Sequence, residues 1–312
     1  MGYFDYEGSR LAYSDFGSGD RVFVLLHGQL LSQFMHQPLA ESLAQRGHRV
    51  VTLDLLGHGG SDRPTDMWRY SMTQFAEQVV ALLDHLGVRR AVVGGTSLGA
   101  NVSLEFGAIA PERAQGLMVE MPVLDAGVYG AVVAFTPLLT MTLYARALMD
   151  LTGFFARLVP RGPLGFLGNV ILDTIRQDHR ASPAILQGLF LGRIAPHRSI
   201  RRGFEMPVLV IGHHHDPIHP FADARMLADE LPNGRLLEAA SILELRLHPE
   251  RLTEEMGGFL DSCWGSAERS PGPRSTAIAR RARSGRPGGA ARSTRRRPPG
   301  RGASVRAASR RG

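Results

Sequence analysis

The sequence predicts an α/β fold, a mostly parallel sheet flanked by helices, with a helical insertion and a basic C-terminal tail. Three observations predict it. Short apolar runs of strand length alternate with segments of helical spacing up to Met121. The runs are apolar throughout rather than every second residue, which marks strands buried on both faces. From about residue 125 to 203 the alternation gives way to apolar, helical sequence, and it resumes afterwards.

The elements follow in order. "YFDYEGSRLAYSDFG" alternates around a Gly-Ser turn and predicts a hairpin. "RVFVLLHG" (21–28) predicts a buried strand, "QPLAESLAQRG" (37–47) a helix with a glycine stop, and "HRVVTLDLLG" (48–57) a second buried strand. "MTQFAEQVVALLDHLG" (72–87) has the spacing of an amphipathic helix. A strand over 91–95, a helix over 98–110 and a strand over 114–121 come next. After the insertion, the pattern predicts a strand over 207–212, a helix and turn over 221–234, a strand over 235–240 and a last helix over 249–264. The expected organisation is a core of residues 1–124 and 204–264, a helical cap insertion at 125–203 and a disordered tail at 265–312.

Charge is unevenly placed. The net charge is +7, but the tail holds 14 Arg and one acid, Glu268. The preceding residues carry 22 Arg against 28 acids and are mildly acidic. The tail is Arg, Gly, Pro, Ser and Ala, a composition that buries too little apolar surface to order itself. "RRRPPGRG" could meet an anionic surface, but with no aromatic to stack on bases, no specific nucleic-acid partner is expected. One cysteine, Cys263, and an N-terminus without a basic-then-apolar leader lead to the expectation of a cytoplasmic protein. Residues 126–145 are twenty in a row without charge, long enough to span a bilayer. Pro137 interrupts them and Gly, Ala and Thr dilute them, so a buried helix is expected and no transmembrane span.

The chemistry-bearing motif is "GGTSLGA". Gly95-Thr96-Ser97-Leu98-Gly99 falls between a strand and a helix, the context that gives G-x-S-x-G its specificity. A turn that sharp leaves no room for side chains two residues either side of Ser97. The following helix start offers the free N–H of Leu98. A serine becomes a nucleophile only when a base takes its proton, and that base needs an acid to orient it.

At this point the chain resembles the α/β-hydrolase fold family, over about residues 3–263. "LLHGQLLS" (25–32) looks like the family's HG loop, which implies that Gln29 gives a second oxyanion N–H beside Leu98. "DLLGHGGSDRP" (54–64) resembles a structural segment of the family, which makes His58 a packing residue. "GHHHDPIHP" (212–220) looks like the loop carrying the family's acid, which implies Asp216. Glu120 and Asp125, after the sixth strand, are the other place for that acid. Four His and an Asp in seven residues also raise metal binding, but neighbouring residues at a strand end point in alternate directions and do not converge on one ion. No cofactor and no metal are expected.

The base is the exception. In the family it follows the eighth strand, about seven residues before the proline that starts the last helix. Counting back from Pro249 places that slot at Ile242, which cannot take a proton. His248 is the imidazole expected to serve, with His219 or His215 as alternatives. Ser97, Asp216 and His248 would then make an esterase-like serine hydrolase acting on an ester, thioester or lactone. Relatives that open epoxides or remove halides carry aspartate at the elbow. Val132, Val133, Phe135, Phe154, Phe155 and Phe190 of the insertion suggest a small apolar substrate group. The alternative function is a weak or inactive member of the fold that binds a small apolar ligand.

Overall fold

The computed structural model describes residues 1–160, 164–176, 179–216, 218–242 and 244–268, and Met1–Ser270 form one compact unit. Residues beyond 268, which hold the Arg-rich tail, lie outside the described residues. Eight strands form one sheet in the order β1-β2-β4-β3-β5-β6-β7-β8. β1 (Gly2–Tyr6) and β2 (Ser9–Phe16) make the N-terminal hairpin, turning at Glu7 and Gly8, both at positive φ. β2 runs antiparallel to β4 (Arg49–Leu53). β3 (Val22–Leu26), β5 (Ala91–Thr96), β6 (Ala114–Glu120), β7 (Val208–His213) and β8 (Gly234–Ala239) complete a parallel set with β4. β3, β5, β6 and β7 are buried at every residue, as suits their mostly apolar sequences, with Thr96, Gln115, Glu120 and His213 the buried polar exceptions.

Side-chain alternation divides the core into two layers. Val22, Val24 and Leu26 of β3 and Val208 and Val210 of β7 face one cluster. Phe23, Leu25, Leu209 and Ile211 face the other. The first layer is closed by α2 (Met72–His85), α3 (Leu98–Ile109) and α9 (Phe221–Glu230), through Phe75, Val79, Phe106 and Leu227. The second is closed by α1 (Gln37–Gln45) and α11 (Glu250–Glu268), through Leu39, Leu43, Met256 and Leu260. Ser71 starts α2 by accepting the Gln74 N–H, and Gly87, at φ +64, follows its end.

The connection from β3 leads outward to β4, whereas that from β5 leads the other way to β6. The crevice beyond the carboxyl ends of β3 and β5 is therefore a topological switch point, where open parallel sheets place their sites.

Between β6 and β7 the chain forms α4 (Gly127–Tyr144), α5 (Arg146–Leu158), α6 (Gly165–Arg176), α7 (Ser182–Leu191) and the short α8 (Arg198–Arg201). Two side chains of the core fasten this insertion. Asn101 Nδ2 donates to the carbonyls of Val123 (2.7 Å) and Ile194 (2.9 Å), and its Oδ1 accepts from the Val123 N–H (2.9 Å), so both ends are tied to α3. The buried Asp223 carboxylate on α9 accepts from the N–H groups of Leu124 (3.1 Å), Ala126 (3.2 Å) and Gly127 (2.8 Å) at the start of α4.

The expectation of a buried helix at 126–145 is corrected. Within α4 only Gly127 and Thr142 are buried, because the helix packs on α7 and α5 along part of its circumference and leaves Tyr129, Val132, Val133, Met141, Leu143 and Tyr144 exposed. Gly127–Tyr144 is, among the described residues, the one helix long and apolar enough to cross a membrane.

Asp223→Ala leaves three N–H groups at the insertion's base without their anionic acceptor. A loss of about 3 kcal/mol is expected in urea unfolding, with the sheet signal in circular dichroism retained. An unchanged midpoint would show that the anchor contributes nothing.

Candidate active site

β5 ends at Thr96 and α3 begins at Leu98, leaving Ser97 alone at the corner with φ 54° and ψ −107°. Backbone held in such a region costs roughly 1–3 kcal/mol and persists only where surroundings impose it. The imposition is visible. A Cβ on Gly95 or on Gly99 would overlap the Leu26 carbonyl oxygen, so only glycine lets β5 and α3 come this close to β3. The Ser97 N–H donates to the Glu120 carbonyl at 2.9 Å, and the Ser97 carbonyl accepts from Asn101 at 3.0 Å. Leu98 is the first residue of α3, so its N–H has no carbonyl of its own helix to meet. Gly28, after β3, approaches Ser97, and Gln29 lines the same cavity as Ser97 and Leu98.

The imidazole facing Ser97 is His219. Its Nε2 lies 2.9 Å from Ser97 Oγ, and its Nδ1 lies 2.9 Å from Asp216 Oδ2. A carboxylate only accepts, so Nδ1 carries the proton and Nε2 is free to accept from the serine hydroxyl. Asp216 Oδ1 accepts the N–H groups of Ile218 (2.8 Å) and His219 (3.0 Å). Burial pushes the Asp216 carboxyl up, but the His219 ring and these two N–H groups outweigh it and hold it below the usual carboxylate range. Acid and imidazole thus come from one loop, three residues apart.

His248 is corrected. It is exposed, and its N–H donates to the Glu244 carbonyl at 2.8 Å. The short helix α10 (Glu244–Leu247) takes up the chain after β8, and Pro249 leads straight into α11, so His248 stays on the surface between the two helices. Ile242 is also exposed, and the Ser241 carbonyl accepts from His213 Nδ1 at 2.8 Å. His215 is exposed at φ 62°, and His214 stacks on Phe221 with ring centroids 4.1 Å apart. The histidines of "HHHDPIH" therefore diverge. Among the described residues no group of three or more His, Cys, Asp or Glu could hold a metal. His58 is buried against His27 and bonds the Leu56 carbonyl region through Nδ1 at 3.1 Å.

Glu120 has a different partner from the one its position suggests. Its carboxylate accepts from the Thr96 hydroxyl and from Arg246 Nη2 (3.2 Å), and His213 Nε2 lies 3.3 Å away without hydrogen-bond alignment. Burial raises this carboxyl, but Arg246, His213 and Thr96 prevail and hold it well below the usual carboxylate range. Arg246 comes from α10, so the segment expected to carry the base instead places a cation beneath the elbow. Asp125 is exposed.

A cavity of about 70 Å³ adjoins Ser97, walled by Met72, Phe135, Leu186, Leu189, Phe190 and Ile194, with Gln29, Leu98 and Asn101 beside the serine. Both polar atoms of the Gln29 side chain are buried without a protein partner. Of the insertion's apolar residues, Phe135 and Phe190 line this cavity, whereas Val132, Val133, Phe154 and Phe155 point to solvent and correct the expectation that they surround the substrate. A larger cavity, about 530 Å³, lies by Gln33, Asp54 and Arg63. It holds no activated nucleophile, and its carboxylate, Asp54, is already taken by Gln33 and the Gly60 N–H.

The signal for His219 was its spacing. An acid and an imidazole three apart in a tight turn face each other, and no later histidine but His248 remains. The signal for Arg246 was a lone cation between Leu245 and Leu247, opposite a glutamate at the end of a buried strand.

A model of the alpha/beta hydrolase fold matches residues 21–199. The chain belongs to that family. It is similar to the human mesoderm-specific transcript homolog protein, with 26% identity, covering 84% of this chain and 84% of that protein. It is also similar to haloalkane dehalogenase 2 of Mycobacterium tuberculosis strain H37Rv, with 26% identity over 67% of each. Among solved structures, the enol-lactonase from Burkholderia xenovorans LB400 superposes with a TM-score of 0.67 at 23% identity, over 83% of this chain and 100% of that one, a likeness of fold.

Arg246→Met strands the Glu120 carboxylate in a buried place, where loss of the partner costs about 3–5 kcal/mol. A carboxyl held low stabilises the fold above its unfolded pKa, and that stability goes as pH falls through the folded value. The wild-type contribution should therefore last below the ordinary carboxylate range, and the variant should lose stability at higher pH. Thermal unfolding across an acid series checks both; parallel curves would refute the pairing.

Proposed function

We propose that the protein is a serine hydrolase that cleaves an ester, thioester or lactone bearing a small apolar acyl group, through an acyl-enzyme on Ser97. The observation that carries this reading is the line from Ser97 Oγ through His219 to Asp216, with both hydrogen bonds at 2.9 Å. Ser97 attacks the carbonyl carbon as His219 Nε2 takes its proton, and Asp216 steadies the imidazolium that forms. The N–H groups of Leu98 and Gln29 meet the oxygen as it becomes negative. His219 then passes its proton to the leaving alcohol, thiol or alcohol end of the lactone. A water, deprotonated by the same nitrogen, releases the acid and restores Ser97.

An oxygen nucleophile with a neutral base suits acyl transfer, where the intermediate must be hydrolysed at the carbonyl carbon. With an imidazole at Ser97, the ligand-binding alternative loses the missing base that motivated it. The narrow cavity supports a short acyl chain. Gln29, with an unpartnered donor and acceptor in the same wall, suits a substrate with one polar group near the reacting carbonyl.

The test is turnover of p-nitrophenyl esters with a fluorophosphonate label. Ser97→Ala should abolish labelling. His219→Ala should lower kcat by roughly 10⁴–10⁶-fold with the fold intact, because such residues act as a unit. His248→Ala should leave kcat within about twofold, as suits an exposed side chain. Loss of turnover in His248→Ala but not in His219→Ala would sink the assignment.

Chain length gives a second measurement. Each methylene that fits the cavity adds about 0.8 kcal/mol, about fourfold in kcat/KM. The gain should stop at acetate to butyrate and reverse by octanoate. Phe190→Ala should move the optimum to longer chains. A wild-type optimum at octanoate would exclude the short-chain reading.

A further inference from the structure

α4, α5 and α6 turn an apolar face to solvent as well as to the protein. In α5, Met149, Gly153 and Ala156 face inward and are buried. Leu148, Leu151, Phe155 and Leu158, spaced three, four and three residues apart, form a stripe on the opposite side, with Phe154 beside it. Phe154 and Phe155 are 56% and 57% exposed and meet edge to face. In α6, Leu167, Ile171 and Ile175 repeat every four residues and are exposed. In α4, Ala131 and Phe135 line the cavity at Ser97, while Val132 and Val133, next along the helix, point outward. α5 packs on both α4 and α6. Exposed apolar residues are ordinary when scattered; three adjoining helices with regular apolar stripes are not.

Charge selects what covers this face. Residues 125–203 hold nine Arg against four acids, whereas the core, residues 1–124 and 204–264, holds 13 Arg against 24 acids. Arg193, Arg198 and Arg201 of the insertion are spent on Glu105 and Glu230 of the core, which leaves Arg146, Arg157 and Arg176 on α5 and α6 against Asp150 and Asp173, a small basic excess on an otherwise acidic body. Residues 269–312 add 14 Arg and no acid. A second copy docking by the same face would set one basic insertion against another. The Arg-rich segment of this chain is opposed by the same repulsion and offers little apolar surface. An anionic lipid surface answers both properties, taking the apolar stripes into its acyl boundary and the arginines at its headgroups.

Spanning is excluded by α4's own attachments. Its start is fixed by Asp223, its inner face closes the Ser97 cavity, and Pro137 stands within it. The helix can lie on a bilayer but cannot enter it without leaving the protein. Tyr129 and Tyr144, near its two ends, are both exposed and suit the headgroup layer.

We propose that the outer face of α4, α5 and α6 docks on the surface of an anionic bilayer. The inference goes beyond the reaction at Ser97 and is read without turnover.

The test is flotation of the full chain with vesicles of phosphatidylcholine alone and of equal parts phosphatidylcholine and phosphatidylglycerol. Wild type should float with the mixed vesicles and much less with phosphatidylcholine. The double variant Phe154→Gln, Phe155→Gln should partition at least tenfold less, with an unchanged melting temperature. If that variant melts lower, Leu158→Gln, at a site 67% exposed, takes its place with a severalfold loss. In about 1 M salt, where the screening length is about 3 Å, attraction through the Arg-rich segment alone would vanish. Part of the wild-type binding should survive there and be lost in the variant. Three results overturn the proposal: wild type that stays with the supernatant, a variant that floats as well as wild type, and a dimer in light scattering that the variant dissolves without any vesicle binding.

Discussion

The site depends on one steric constraint. β5 and the first turn of α3 press so close to the Leu26 carbonyl that neither Gly95 nor Gly99 can carry a Cβ. That contact forces Ser97 into its positive-φ corner and lifts the hydroxyl out of the sheet. It also brings the start of α3 beside the end of β3, so that Leu98 and Gln29 line one cavity next to Ser97. Substitution of either glycine would alter the serine, the donors and the β3–β5 spacing together, because one close approach sets all three. The switch point of the strand order supplies the crevice, and the glycine contact supplies what stands in it.

Placing acid and imidazole in one loop changes what the rest of the chain must do. Asp216 and His219 are held to each other by local hydrogen bonds, two of them from backbone N–H groups of the same turn. Their mutual geometry does not depend on how the C-terminal helices dock. The segment after β8 keeps His248 at the surface, and Arg246 from that segment serves Glu120. Glu120 holds Ser97 by its carbonyl and Thr96 by its carboxylate, so the cation acts on the elbow from beneath. A buried carboxylate in that position without Arg246 would lose more by desolvation than its bonds to Thr96 return.

The sequence pattern revealed strands, helices and the elbow because each follows from period, burial or sterics within a few residues. β3, β5 and β7 announced themselves as unbroken apolar runs, and Ser97 by glycines at fixed offsets. Asp216 came from resemblance, and its carboxylate lies against the His219 ring. The expectation of His248 rests on counting from Pro249, which assumes that the β8–α11 connection is an open loop. α10 occupies it, and nothing in "SILELRLHPE" shows that Arg246 has a buried partner 126 residues earlier. Pairings across that distance are set by the sheet order, which hydrophobic period does not encode. His219 needed only local reasoning, since a turn of four residues brings an acid and an imidazole into contact.

Hydropathy likewise has magnitude without direction. The expectation of burial for the uncharged stretch 126–145 rests on Pro137 and on dilution by Gly, Ala and Thr, which argue against a span and say nothing of which face turns inward. Its direction is decided elsewhere, by Asn101 and Asp223, which tie the insertion to α3 and α9 and fix which face of α4 meets the Ser97 cavity. Once Ala131 and Phe135 are committed inward, Val132 and Val133 have no choice but to point out, since successive helical residues diverge by about 100°. The outward apolar face is thus a geometric consequence of the inward one in a helix apolar all round. In α5 and α6 no such necessity holds, for their inward residues are small or few and polar residues would have served outside. Their stripes of Leu, Ile and Phe are a separate feature of the sequence, and Arg146, Arg157 and Arg176 stand on the same two helices.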